Sequence, residues 1–510
     1  MADTGHRSSH PALGNLPSSD AESSRKSEMG LEGDIDVVSV NPALVRSAQW
    51  KIDLVVIPLV TMYYLLAFLD RTNIGNARVA GLTRDLNMSS HDFSVALTIT
   101  YVPYILMELP MNLLMKKLGP NITLPLMVTL WGMATACQGA AKSYGGLLAC
   151  RFFLGALEGG ILPGITLYIS SFYRRHDMQL RFAMVFSATS LAGAFSGLLA
   201  AAIENLTGDR NLAGWAWIFI LEGVFTSVFG IVSYFILPIA PHDAKFLSLP
   251  EREAYVQALV QDWSGDADED GEEVEMFSWS EVTSVFTNAP HVLLIWLPLC
   301  FNGLTLFGLA NFTPTVVGAF GYSTIRTQLL TVPPYACSFV VSLLAARYSD
   351  KYKQRGAFAI LGALISAAGF AIFLATGNKH AGYGALFLQI IGTFTSAPCI
   401  GTLLANNVQP HYRRASAIAV TFLATNIGGI VSTWIFVDPP RFHVASSVNL
   451  AVTLAGAAII GVLMVHLSLA NGRKREEIVC LEREQPDGAW NTRAERRRLG
   501  DRHPHFRFTL

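Results

Sequence analysis

Twelve apolar runs, each long enough to cross a membrane as a helix, dominate what this chain can fold into. They lie near residues 52–76, 93–115, 121–141, 144–171, 181–203, 213–238, 291–311, 328–347, 357–376, 383–405, 415–437 and 447–470. About 20 apolar helical residues cover the ~30 Å hydrocarbon core of a bilayer. About half of the 510 residues are apolar, and charges are confined to short intervals between the runs. The sequence therefore predicts an all-α membrane protein with twelve transmembrane helices.

A long hydrophilic interval separates six of these runs from the other six. We predict a disordered tail over 1–48, a six-helix bundle over 49–238, a linker over 239–290, a second six-helix bundle over 291–470 and a tail over 471–510. The linker contains the acidic stretch 266–273 (DADEDGEE), which is too charged to pack as a core. It therefore indicates a solvated connection between two halves.

An internal repeat supports this division. Tyr-Gly at 144–145 opens the fourth run and Tyr-Arg-Arg at 173–175 closes it, while Tyr-Gly at 383–384 and Tyr-Arg-Arg at 412–414 flank the tenth run at the same separation. Two parallel, pseudo-symmetric halves are an architecture of transporters, which bind their substrate between the halves near the midplane.

The distribution of basic residues predicts the orientation. Lys and Arg cluster in the intervals on the side shared with the N-terminal tail, for example at 116–117, 174–175, 351–355 and 473–475. Basic loops stay in the cytoplasm, so we expect both termini and the linker there. We separately expect the protein in the plasma membrane. The sequons at Asn87 and Asn205 fall outside, where each asparagine is either glycosylated or left unmodified.

The first run ends in an adjacent acid and base, Asp70 and Arg71. Tyr63 and Tyr64 precede them by seven residues, which places one ring below each charge on a helical face. An ionisable pair inside a membrane is costly, so one interpretation is that the pair lines a transport pathway. The other is that it marks the outer end of the helix and contacts headgroups.

The fourth run carries a second base and acid, Arg151 and Glu158, on one helical face. Counting helical rise from Arg174 and from Lys51 places Glu158 and Asp70 ~24–29 Å above the cytoplasmic side. Two carboxylates at similar depth, each near an arginine, could exchange protons while substrate occupies the base. The alternative is a buried charge pair that only holds helices together.

Further polar residues have two interpretations each. Glu108 and Glu222 are intramembrane carboxylates that serve either function or structure, and Asn426 meets either a ligand or a neighbouring helix. Between the eighth and ninth runs, one interpretation is an ionic latch that gates the cytoplasmic side, and the other is a set of charges that only fixes topology. This latch would consist of Asp350, Lys351 and Arg355.

Several classes of function lack their expected residues. The sequence has no phosphate-binding glycine loop followed by Lys-Ser/Thr, no metal-ligand spacing and no nucleophile elbow. The six cysteines show no disulfide framework. We therefore predict neither an enzyme nor an ATP-driven pump, with no metal, no cofactor and no nucleic acid as partner.

The sequence resembles the major facilitator superfamily over residues 49 to 475, and specifically its anion:cation symporter family and the fungal allantoate permease-like and nicotinate permease-like transporters. The resemblance rests on the stretches 70–77 (DRTNIGNA), 112–120 (NLLMKKLGP), 151–164 (RFFLGALEGGILPG) and 217–223 (WIFILEG), and on Asn426. It implies proton-coupled movement of an organic anion by alternating access.

The resemblance also implies roles for individual residues. Asp70 and Glu158 would be the protonated pair, Arg151 would link them, Arg71 would grip the carboxylate of the substrate, and Asn426 would lie near it. The resemblance favours an arrangement in which Asp70 and Arg71 face the cavity. Tyr64 lies on the same helical face as Arg71, so we expect it in the substrate site as well. The sequence departs from the superfamily's Gly-x-x-x-Asp loop motif, since Ala346 precedes Asp350 in the second half. The first half has no acid at all between Glu108 and Glu158, which implies a one-sided latch.

Three functions remain in view. The first is uptake of a small carboxylate, such as a nicotinate-, pantothenate- or allantoate-like molecule, by a monomer in the bilayer that uses the proton gradient. The second is export of an acidic secondary metabolite or drug by the same fold. The third is a nutrient sensor, which would be expected to have longer cytoplasmic tails than those here.

Overall fold

The computed structural model describes residues 41–264 and 290–510, except residues 207, 209–211, 353, 410, 438, 440, 485–488, 493–494 and 496–498. Most of the predicted N-terminal tail, and the acidic stretch of the linker, lie outside the described residues. Those that are described form helices joined by short connections, with no strand among them.

The first half places its helices where the first six apolar runs lie. Its helices are α1 (Pro42–Val79), the short α2 (Leu82–Asp85), α3 (Ser90–Leu118), α4 (Pro120–Gln138), α5 (Tyr144–Glu158), α6 (Ile161–Phe172), α7 (Arg175–Glu204) and α8 (Gly214–Ile236). Local sequence sets several of these starts: the Asn41 side chain caps α1, where proline occupies the first turn, and Ser89 forms a capping box with Asp92 at α3.

The second half follows the other six runs. Its helices are α10 (Pro290–Gly318), α11 (Thr324–Tyr352), α12 (Arg355–Ala375), α13 (Lys379–Asn407), α14 (His411–Ile435) and α15 (His443–Glu484), preceded by α9 (Leu249–Ser264). With α5 and α6 counted as one broken span, the described residues contain a helix for each of the twelve predicted runs. Ten of these spans are long and apolar enough to cross a membrane. The predicted fold class is confirmed.

The fourth span is broken immediately after Glu158. Gly160 has a φ of 96°, a left-handed conformation that favours glycine. A Cβ at Gly155 would collide with the backbone carbonyl oxygen of Thr100, so α5 lies directly against α3. The break and the close packing together fix Glu158 at the end of α5.

The two halves touch each other at one end of the molecule. We call the end that carries Asn41 and α9 the termini side, and the opposite end the far side. On the far side, Gln328 Nε2 donates to the carbonyl oxygen of Asn76 over 3.2 Å, and the hydroxyls of Thr98 and Thr433 lie 2.9 Å apart. These bonds close the far side.

Parts of the predicted linker and tails are ordered. Helix α1 begins within the predicted N-terminal tail. Helix α9 lies inside the predicted linker and packs on α1. There Glu251 accepts hydrogen bonds from Lys51 Nζ and from Ser47 Oγ, each over 2.7 Å. Helix α15 continues into the predicted C-terminal tail, and residues 499–510 fold back on the second half. The buried Lys474 Nζ donates there to the carbonyl oxygens of Asp501 and His503.

Candidate functional site

A cavity of about 260 Å³ lies between the two halves and extends towards the termini side. The first half contributes Tyr64, Arg71 and Glu158, and the second half contributes Phe307 and Asn426. All three residues that were predicted to bind substrate, Arg71, Tyr64 and Asn426, therefore line one cavity. Its walls also include residues near the termini-side ends of the helices, such as Met178, Thr166 and Asn406.

Arg71 and Glu158 form an ion pair in the wall of this cavity. Arg71 Nε and Nη2 each lie 3.0 Å from the same oxygen, Glu158 Oε1. The side chain of Glu158 is 1% exposed and that of Arg71 is 16% exposed, so the guanidinium is the more accessible partner. The second oxygen of Glu158, Oε2, has no hydrogen-bond partner among the described residues. Charge-assisted bonds of this kind hold Arg71 in position.

Aromatic rings surround the guanidinium of Arg71. Its Cζ lies 4.5 Å from the ring centre of Tyr104, 5.3 Å from that of Phe307 and 6.0 Å from that of Tyr101. Such contacts attract a cation through the electron-rich ring faces and limit its rotation. Phe307 belongs to the second half, so both halves hold this arginine.

Asp70 does not share the cavity with Arg71, although the resemblance favoured that both would face it. Neighbouring residues on a helix point about 100° apart, so Asp70 is directed into the interior of the first half. It is 1% exposed and lies near Thr135 and Trp131 of α4 and near Arg151 of α5. Tyr63 and Tyr64 diverge in the same way, since Tyr63 is fully buried against Phe229 of α8 while Tyr64 lines the cavity.

Arg151 lies behind the Arg71–Glu158 pair. It is 2% exposed, it interacts electrostatically with Asp70 and Glu158, and its Cζ lies 5.6 Å from the ring centre of Phe219. Its Nε and Nη2 have no hydrogen-bond partner within the described part of the chain. A space of about 20 Å³, large enough for one water molecule, separates Arg151 from Arg71. Arg151 thus lies within electrostatic reach of both acids, and its predicted linking role stays a prediction.

The remaining predicted residues lie away from the cavity. Arg355 Nη2 donates to Asp350 Oδ1 over 2.6 Å at the termini side, while Lys351 Nζ lies 5.8 Å from the ring centre of Tyr352. Asn87 and Asn205, the two sequon asparagines, are exposed on the far side. Within the described residues, no cluster of three or more His, Cys, Asp or Glu side chains could hold a metal ion.

Sequence reasoning missed part of the cavity wall. Tyr104 and Phe307, which flank Arg71, are aromatic residues inside apolar runs, and no local pattern separates them from core residues. Glu108 did stand out as an intramembrane acid, and it lines the cavity one helical turn from Tyr104. Its spacing from Tyr104 is the signal that could have assigned both to one face.

Comparison with known proteins identifies the family. The model of the Major Facilitator Superfamily matches residues 60–433. An uncharacterized transporter of Schizosaccharomyces pombe is 34% identical over 433 residues, covering 85% of each chain. The high-affinity nicotinic acid transporter of Saccharomyces cerevisiae is 30% identical over 498 residues, which is 95% of this chain and 90% of that protein.

Solved structures show the same fold. The xylose transporter XylE from E. coli, in a partially occluded inward open conformation, aligns with a TM-score of 0.62 at 14% identity, covering 79% of this chain and 97% of that one. The fungal relatives fit the predicted permease-like group and confirm the resemblance in the sequence. The chain therefore belongs to the major facilitator superfamily, and it is a secondary active transporter that works by alternating access, not an enzyme.

Proposed function

We propose that this transporter takes up a small organic carboxylate together with a proton, with Arg71 as the anion site and Glu158 as the proton site. The observation that carries the proposal is the Arg71–Glu158 ion pair in the wall of the cavity between the halves. A cationic side chain that is partly open to a cavity, and already paired with a buried acid, provides both a place for an anion and a reason for proton coupling.

Competition for one guanidinium gives the coupling. While Glu158 is ionised, Arg71 Nε donates to it and Nη2 lies 3.0 Å from the same oxygen. Protonation of Glu158 removes its charge and weakens this pair, so a substrate carboxylate can take its place on Arg71. The site then holds either ionised Glu158 without substrate or protonated Glu158 with substrate, and one proton moves with each carboxylate.

The cavity suits a small, flat anion. Its volume of about 260 Å³ is below the usual range for drug-sized ligands. The rings of Tyr104 and Phe307 can stack against a planar ligand that is bound to Arg71. Tyr64 and Asn426, on opposite walls, supply a hydroxyl and an amide for polar groups of the ligand. The similarity to a nicotinic acid transporter supports an aromatic monocarboxylate as the first substrate to test.

The arrangement of the halves corresponds to the inward-facing state in this proposal. The far side is closed by contacts between the halves, while the cavity extends to the termini side, where basic loops predict the cytoplasm. Uptake across the plasma membrane then requires the far side to open. The Asp350–Arg355 pair at the termini side is a candidate latch for the return step.

A competition panel tests the proposal. The purified protein would be reconstituted in vesicles with an inward proton gradient, and uptake of labelled nicotinate, pantothenate and allantoate would be measured, each against an excess of other carboxylates and of the matching amides. We expect at least one carboxylate to accumulate with the gradient, and its amide to compete poorly. Transport of neutral compounds only, or uptake that ignores the gradient, would contradict it.

A further inference from the structure

We infer that Asp70 and Glu222 form a buried carboxyl pair that shares one resident proton behind the substrate site. Glu222 of α8 lies within hydrogen-bonding reach of Asp70 of α1. Glu222 is 6% exposed and Asp70 is 1% exposed, and neither residue lines the cavity. The pair is thus separate from the site where Arg71 meets Glu158.

The polar atoms of the pair favour a proton between them. Asp70 Oδ1 and Oδ2 and Glu222 Oε1 receive no hydrogen bond of standard geometry from the described residues. Two ionised carboxylates offer only acceptors and repel each other, whereas one shared proton turns the contact into a strong O–H···O bond. Buried polar groups are normally paired; Thr135 Oγ1 and Trp131 Nε1 lie near Asp70 without a hydrogen bond of standard geometry, and a proton supplies the donor between the two carboxyl groups.

The charge count of the buried cluster leads to the same result. Three acids and two bases form a chain of interactions in the first half: Arg71 pairs with Glu158, Arg151 interacts with Glu158 and Asp70, and Glu222 interacts with Asp70 and Arg151. If all were ionised, the cluster would carry one uncompensated negative charge in a medium of low dielectric. One proton on the Asp70–Glu222 pair makes the cluster neutral. Tyr101 of α3, which also interacts with Arg151, is neutral in either case.

Tight packing of α8 against α4 fixes the position of Glu222 within the first half. Gly223, next to Glu222, is so close to α4 that a Cβ there would collide with the backbone nitrogen of Ala136. On α4, a Cβ at Gly132 would lie 2.6 Å from the backbone nitrogen of Ser227. Both contacts lie within the first half, so a movement of one half against the other does not require them to open. The resident proton can therefore remain through the transport cycle.

The three acids then have different roles. The Asp70–Glu222 pair balances the charge of Arg151, and Glu158, which contacts Arg71 at the cavity, is the acid that exchanges its proton. The second statement rests on the proposed function, whereas the shared proton does not. The two therefore need separate readouts.

Infrared spectroscopy of the purified, substrate-free protein tests the shared proton directly. A protonated carboxyl group has a carbonyl stretching band that ionised carboxylates lack. At neutral pH we expect a component of this band that is lost in both Glu222→Gln and Asp70→Asn but kept in Glu108→Gln, the control in the cavity wall. A wild-type protein without any such band, or a band that neither Glu222→Gln nor Asp70→Asn diminishes, would overturn the inference, whatever the substrate is.

Transport provides the second readout. Glu222→Gln keeps the cluster neutral and retains an N–H donor for Asp70, so gradient-driven uptake should stay within about tenfold of wild type. The double variant Asp70→Asn/Glu222→Gln leaves Arg151 uncompensated, and its loss of uptake and of thermal stability should exceed the sum of the single losses. Additive losses, or a Glu222→Gln protein that folds but transports nothing with the gradient, would contradict a charge-balancing role.

Discussion

Arg71 holds Glu158 by a single carboxylate oxygen, since its Nε and its Nη2 both lie 3.0 Å from Oε1. Both guanidinium nitrogens therefore approach the same oxygen, rather than forming two parallel bonds to two oxygens. A substrate carboxylate that approaches from the cavity can form the parallel arrangement, which is the stronger one for a guanidinium. This difference favours the exchange of Glu158 for substrate once Glu158 is protonated.

Arg71→Lys should weaken carboxylate binding by at least about tenfold, which corresponds to about 1.4 kcal/mol. An ammonium group cannot reproduce the planar fork, and it loses the stacking of Arg71 on Tyr104 and Phe307. Direct binding of labelled nicotinate, or of the best carboxylate from the competition panel, to purified protein measures the effect.

Arg78→Lys is the matched control for this prediction. Arg78 lies on the same helix and stacks on Phe93, 4.4 Å from Cζ to the ring centre, but it does not line the cavity. We expect the affinity of the Arg78→Lys protein for the carboxylate to stay close to that of wild type. Equal affinities of Arg71→Lys and wild-type protein would show that Arg71 is not the anion site.

Gly75→Ala should disfavour the closed far side. The added Cβ would collide with the backbone carbonyl oxygen of Asn311 in the other half, so the halves could not approach as they do here. With cysteines introduced at Thr98 and Thr433, whose hydroxyls lie 2.9 Å apart, disulfide formation reports closure. We expect Gly75→Ala to reduce the cross-linked fraction several-fold.

Gly461→Ala supplies the comparison, because its Cβ would meet open space. Cross-linking at the Thr98 and Thr433 positions should be as efficient in that variant as in the parent. If Gly75→Ala also cross-links normally, the contact between Gly75 and Asn311 does not limit closure of the far side.

The sequence determined most of the fold because the bilayer imposes a length and a composition on each span. All twelve apolar runs are helices in the described residues. The helix boundaries were harder to predict. Helix α1 begins at Pro42 and α15 continues to Glu484, because polar helical turns that extend beyond the bilayer carry no hydropathy signal. Likewise, the fold-back of residues 499–510 depends on Lys474 finding carbonyl partners far along the chain.

The sequence predicted which charged residues belong to the candidate site, but not which of them line the cavity and which lie behind it. Arg71, Tyr64 and Asn426 line one cavity, as the sequence suggested, because intramembrane polar residues avoid lipid. The position of Asp70 behind the cavity follows from the rotation of α1, which sequence spacing alone does not fix. The proximity of Glu222 to Asp70 joins two different helices and is visible only in the structure, which also shows that Gly223 and Gly132 let α8 pack closely on α4.

A glycosylation sequon inserted into the 265–289 segment should remain unmodified. The basic intervals at 174–175 and 347–355 predict that this side of the membrane faces the cytoplasm. The same sequon inserted between α7 and α8, on the far side, is the positive control, and removal of glycans by endoglycosidase with a shift on a gel is the measurement. Glycan on the 265–289 sequon would reverse the proposed orientation.

Acidification should release α9 from α1. Hydrogen bonds from Lys51, Ser47 and Ser248 lower the pKa of Glu251 to about 2. Because this pKa is depressed below the ordinary value of about 4.3, the stabilisation is complete above that value and is lost as the pH falls towards 2. Hydrogen exchange of the α9 amides, corrected for its intrinsic pH dependence, should therefore lose protection in this window.

Glu251→Gln should reduce the protection of α9 at pH 6 and flatten its dependence on pH below 4.3. Glu253→Gln, at an exposed position of the same helix, should follow the wild-type profile. A wild-type profile in Glu251→Gln would mean that the ion pair with Lys51 does not hold α9 in place.

Glu158→Gln tests the central claim most directly, in vesicles that contain either no substrate or a saturating concentration of it. The amide resembles the protonated acid in size and hydrogen bonding but cannot release a proton. We predict that a proton gradient no longer drives accumulation of the carboxylate, while exchange of labelled for unlabelled carboxylate persists, because Arg71 still binds it. Glu158→Gln protein that concentrates the carboxylate against its gradient, driven by pH alone, would contradict the account.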